Sequence, residues 1–87
     1  MESEPAEPAV KIKKMFFLYK ENIALYKQQK YVKCAVSCEK ITFVLDSLQL
    51  SLIKDIGRQN TCRQIRRKLL ENIGKLYELC MKNITFS

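Results

Sequence analysis

Four cysteines, at positions 34, 38, 62 and 80, are the side chains of this chain best suited to metal or redox chemistry. No two of them show CxxC spacing, and the chain holds no histidine. A zinc site normally draws its ligands from closely spaced Cys and His, so none is expected here. Cys34 and Cys38 stand four residues apart, which is one turn of a helix and one face of it. At that spacing they read as small buried apolar side chains. A disulfide framework is the weaker reading, because nothing in the chain marks it as secreted. The nine carboxylates are scattered. Glu71 and Glu78 both have basic neighbours and read as surface ion pairs, worth tenths of a kcal/mol each. Without histidine the commonest acid/base at neutral pH is missing, and the two glycines stand alone, so no phosphate-cradling loop can form. No catalytic residue, metal ligand or cofactor is expected, and the function to look for is binding.

Charge supplies the first binding candidates. Residues 10–87 hold all 16 Lys and Arg and six of the nine Asp and Glu, which leaves that part strongly basic. A basic body attracts nucleic acid, anionic lipid or acidic peptides; a lysine-rich solvated surface is the plain alternative. The run Arg63-Gln64-Ile65-Arg66-Arg67-Lys68 concentrates this charge near the start of a helix, where the macrodipole disfavours cations. The aromatic set Phe16, Phe17, Tyr19, Tyr26 and Tyr31 is interleaved with lysines, but most of it falls on an apolar stripe and reads as packing.

These candidates must be positioned by helices. Ile12, Phe16, Tyr19, Ile23 and Tyr26 recur at threes and fours, one helical face. Pro8 suits the opening of that helix. Tyr31, Cys34, Cys38, Ile41, Leu45, Leu48 and Leu52 continue the pattern in a second helix, which carries a further stripe at Val36, Phe43 and Leu50. Gly57 suits its C-terminal stop. Thr61-Cys62-Arg63-Gln64 matches a capping box, with Asn60 as a competing cap, and opens a third helix with Ile65, Leu69, Ile73, Leu76 and Cys80 on one face. Gly74, in mid-helix, would permit close approach of another backbone. The sequence therefore predicts an all-α protein, a single three-helix antiparallel bundle over residues 10–84 with helices at about 10–29, 31–55 and 61–84. Residues 1–9, with Glu2, Glu4 and Glu7, read as a disordered acidic N-terminal tail. Its sign is wrong for a secretory signal or a mitochondrial presequence, so a cytoplasmic or nuclear location is expected. No run approaches the length of a membrane span.

A line on the third helix, Arg66, Leu70, Gly74, Tyr77 and Met81, is offset from its core stripe. If Val36, Phe43 and Leu50 lie beside it, an apolar groove forms between helices two and three. A partner's amphipathic helix could fill that groove, with its acids on Arg63 and Arg66. Alternatively these residues complete the bundle core, or form a homodimer interface.

The segment Leu25-Tyr26-Lys27-Gln28-Gln29-Lys30-Tyr31-Val32-Lys33-Cys34-Ala35-Val36-Ser37-Cys38-Glu39-Lys40-Ile41 resembles the first turn and second helix of a microtubule-interacting and transport (MIT) domain. Lys30-Tyr31 stands at that family's turn aromatic, while Cys34 and Cys38 replace its more usual Ala and aromatic. Arg63-Gln64-Ile65-Arg66-Arg67-Lys68-Leu69-Leu70-Glu71-Asn72-Ile73 is similar to its third helix. The resemblance covers about residues 10–84, and tetratricopeptide helices share much of it. It implies a non-enzymatic three-helix adaptor for short helical motifs of ESCRT-III-type partners, working in membrane trafficking or autophagy. Carried across, it places Phe43 and Leu50 on one groove wall, Leu70 and Tyr77 on the other, and Arg66 at a charge contact; the basic run, read by itself, adds Arg63 for charge selection. A constitutive small subunit of a larger helical complex and a basic nucleic-acid-binding domain are the rival readings.

Overall fold

The computed structural model describes residues 8–86. It is an all-α, three-helix bundle: α1 spans Pro8–Lys27, α2 Tyr31–Asp46 and α3 Ile56–Phe86, with a 3-10 turn at Leu50–Leu52. No strand occurs among the described residues. The long axis measures 47 Å, which matches the roughly 46 Å that the 31 residues of α3 span at the α-helical rise. The expected acidic tail lies outside the described residues up to Glu7, whereas Pro8 and Ala9 belong to α1.

The connection between α1 and α2 is three residues long and closes as a Schellman turn. Lys30 N–H donates to Leu25 O at 3.0 Å and Gln29 N–H to Tyr26 O at 2.9 Å. This geometry needs a left-handed residue, and Gln29 supplies it at φ 63°. The rings of Tyr26 and Tyr31 meet edge to face across the turn, with centroids 5.4 Å apart.

The second helix is shorter than its periodicity predicts. It stops at Asp46, not near 55. Leu48 and Leu50 are both buried although only two residues apart. A helix cannot turn both inward at that spacing, so the chain leaves the helix and folds both leucines over the end of the bundle. Leu52, expected on the core stripe, is 67% exposed. The third helix correspondingly starts at Ile56 and not at 61. Asp55 caps it: its Oδ1 accepts the Arg58 N–H at 3.2 Å. Gly57 is thus in the first turn of α3 and not a C-terminal stop, and neither glycine has a positive φ. The Thr61 capping box does not form, because Asp55 has begun the helix earlier; the Thr61 hydroxyl donates back to Gly57 O at 3.0 Å.

One core joins the three helices. It contains Ile12 and Met15 from α1, Cys34, Ala35, Cys38, Ile41 and Leu45 from α2, and Cys62, Leu69, Ile73, Leu76 and Cys80 from α3. Besides Leu52, two expected core residues fall outside it. Phe16 is 43% exposed, because the buried line of α1 runs through Met15 and Asn22. Ile65 is 45% exposed, because Cys62 begins the inward line of α3. Asn22 is a buried polar residue in this seam. Its Nδ2 donates to Cys38 Sγ at 3.6 Å, and its backbone carbonyl accepts the Cys34 thiol at 3.3 Å.

All four cysteines are unbridged and buried. Burial, the largest cause, pushes the Cys34 thiol well above its ordinary value and raises that of Cys38. Bonding to Cys80 adds to the rise at Cys34, whereas the Asn22 amide partly offsets it at Cys38.

Two outcomes follow from this packing. Gln29→Gly should raise the stability of the domain by about 0.5–1 kcal/mol, since glycine holds the left-handed position without steric cost; chemical denaturation checks it. Folded-state thiol pKa values raised above the unfolded value, about 8.5, give stability that is full below that pH and declines as pH rises beyond it. The urea midpoint should therefore be level from pH 6 to 8 and fall above roughly pH 9, and Cys34→Ala should flatten that fall.

Candidate functional site

The groove expected between the second and third helices exists, but with different walls. It has a volume of about 520 Å³ and is lined by Glu39, Thr42, Phe43 and Asp46 from α2 and by Gly74 and Tyr77 from α3. The α2 residues are spaced three and four apart around Phe43, so one helical face supplies that wall. Phe43 is 75% exposed, the most exposed large apolar side chain among the described residues. Gly74 does not receive a neighbouring backbone as its position had implied; a Cβ built there meets nothing within 4 Å. Its role in the wall is to leave space. Tyr77 bridges the helices: its hydroxyl donates to Glu39 Oε2 at 3.0 Å. That bond and the charge of Glu39 push the Tyr77 phenol above its ordinary pKa.

Of the six residues singled out from the sequence, Phe43 and Tyr77 meet at this groove. Leu50 does not; it is buried in the 3-10 turn at 3% exposure. Leu70 is half-buried and packs against the core. Arg66 is engaged inside the fold. Its Nη1 donates to Leu48 O at 3.2 Å and to Leu45 O at 3.4 Å, the carbonyls at and just beyond the end of α2. A cation at a helix C-terminus satisfies orphan carbonyls and opposes the negative end of the dipole. Arg63 is exposed, and helical spacing places Arg63 and Arg67 on the Leu70–Gly74 face, toward the start of α3.

The groove's own charge was missed. Glu39 and Asp46 line it, so its middle is acidic and not basic. The signal was available, because these residues stand four before and three after Phe43. Val36, expected on the same wall as Phe43, instead lines a larger cleft of about 610 Å³ between α1 and α2. That cleft carries Glu21, Lys33, Lys40, Gln28 and Ser37 and offers no exposed aromatic. Among the described residues no cluster of Cys, Asp and Glu could hold a metal ion, and no helix is long and apolar enough to cross a membrane.

No protein-family model, curated protein or solved structure matches the chain.

The two arginines separate by role. Arg66→Ala should destabilise the domain by about 1–3 kcal/mol, since it removes the guanidinium donor from Leu48 O and leaves Leu45 O to a backbone N–H at a packed helix end. Arg63→Ala, on the exposed surface, should stay within about 0.5 kcal/mol of the wild type. Urea denaturation of both variants checks the contrast.

Proposed function

We propose that this protein is a non-enzymatic interaction module whose α2–α3 groove receives an amphipathic helix of a partner protein. The observation that carries the reading is Phe43, 75% exposed beside the open space over Gly74. A large aromatic held in water at the rim of a groove is an anchor in want of a cover. An apolar side chain of the partner enters above Gly74, between Phe43 and Tyr77. Its neighbours one turn away meet Thr42 and the edge of Leu70.

The charges refine the partner. Glu39 and Asp46 repel carboxylates from the middle of the groove, so the partner's acids belong at one end, against Arg63 and Arg67. A neutral or basic residue belongs opposite Glu39. This narrows the acidic helix expected from sequence to one acidic at its Arg63 end only. The choice of groove agrees with the resemblance to MIT domains, and the trafficking setting and ESCRT-III-type partners rest on that resemblance alone.

Fluorescence anisotropy with synthetic amphipathic helices tests the reading. Carboxyl-terminal peptides of ESCRT-III-type subunits form the first panel. Phe43→Ala should lower affinity about tenfold or more with the circular dichroism spectrum unchanged, and Gly74→Leu should block binding by filling the space. Equal affinity of Phe43→Ala and wild type for the bound peptide would show that the groove is elsewhere.

A further inference from the structure

We propose that the outer face of α1, with the adjoining edge of α3, docks this protein on the surface of an anionic lipid bilayer. This inference concerns a different face from the α2–α3 groove and stands apart from it. Helix α1 carries Lys11, Lys13, Lys14, Lys20 and Lys27 against a single acid, Glu21. Opposite its buried line of Ile12, Met15 and Asn22, it exposes Val10 at 44% and Phe17 at 57%, and at the flank of that line, toward α3, Phe16 at 43%. Val10, Lys14 and Phe17 recur at four and three, and Lys13, Phe17 and Lys20 do the same, so apolar and cationic side chains alternate along one front. Lys20 already lies over the Phe16 ring, its Nζ 5.0 Å from the centroid.

The front continues onto α3. Phe16 shares a cleft of about 310 Å³ with Gln64, Ile65, Lys68, Leu69 and Asn72. Ile65 is 45% exposed there, and no carboxylate lines the cleft. The one acid of α1, Glu21, follows Phe17 by four residues and so stands at the far end of the Val10–Lys14–Phe17 line, where it lines the cleft between α1 and α2. The contrast with the α2–α3 groove, where two carboxylates flank Phe43, is one of sign.

The shape of the front selects the occupant. Phe16 and Phe17 are consecutive, so they diverge around the helix by about 100°. They cover a broad convex surface, which a single peptide helix cannot cap on both sides. A fluid interface accepts both rings at the headgroup boundary, while the lysines extend to lipid phosphates and carboxylates. All the cations on α1 are lysines. A lysine is a flexible point charge without the bidentate fork that favours a defined anionic partner, and so it suits a diffuse layer of lipid charge.

The chain contains no tryptophan, so Phe17→Trp introduces a single reporter. Mixed with phosphatidylcholine vesicles containing about a third phosphatidylserine, its emission should shift to the blue; with phosphatidylcholine alone it should not. In vesicle co-sedimentation of the full chain, Lys13→Gln and Lys14→Gln should each weaken binding by about fivefold, and Phe17→Ser by about tenfold. Phe43→Ala, on the other face, should leave it unchanged. No blue shift with the anionic vesicles overturns the proposal, as does equal binding to neutral ones. Release from the vesicles by polyglutamate or an oligonucleotide at matched charge also overturns it and assigns the face to an acidic polymer.

Discussion

The architecture turns on how the end of α2 is satisfied. A helix that stops inside a bundle leaves carbonyls without partners, and burying them bare is costly. Here the guanidinium of Arg66, at the end of the third turn of α3, reaches the carbonyls of Leu45 and Leu48. That contact closes α2 at Asp46 and lets Leu48 and Leu50 fold over the end of the core. It also sets α3 alongside α2 in one register. With Arg66 placed beside Leu45, Tyr77, three turns further along α3, stands beside Glu39, and their hydrogen bond is the second point of the same seam. Gly74 and Phe43 lie between the two points. The groove is thus the space that remains once both ends of the seam are fastened.

The interior of the seam is built from small, soft side chains. Cys34, Cys38 and Cys80 are fully buried where larger apolar residues would hold the helices apart. Free thiols behave as compact apolar groups with a weak donor, and Asn22 uses both capacities, donating to one sulfur and accepting from another. Because burial holds the Cys34 and Cys38 thiols in their neutral form, this polar patch carries no charge into the core. It also links α1 to α2 by direction, which apolar packing alone does not do.

The helical class was legible in the sequence because apolar residues recur at threes and fours over long stretches with few breakers. The Schellman turn after α1 and the aromatic pair around it fall where the stripe stops. The end of α2 was not legible. Leu45, Leu48 and Leu52 keep helical spacing on paper, and only the burial of Leu50 beside Leu48 shows that the chain has left the helix. That single error displaced Gly57 and Thr61 from their expected roles. It also made Leu50 look like a groove wall. Arg66 was misjudged for a related reason: a cation in the early turns of a helix looks unfavourable by its own dipole, whereas its true partner is the opposite end of a neighbouring helix.

Local spacing, by itself, determined that this chain makes helices, which faces of them are apolar, that Cys34, Cys38 and Cys80 lie inside, and that Phe43 and Tyr77 sit on faces able to meet. Those properties depend on residues within a turn or two of one another. Tertiary packing alone decided which faces became surface. It turned Phe16, Phe43 and Ile65 outward, drew Leu50 and Arg66 into the fold, and put carboxylates in one groove and lysines on the opposite face. Each of these outcomes depends on residues about twenty or more positions apart coming together, and helical periodicity carries no information at that range.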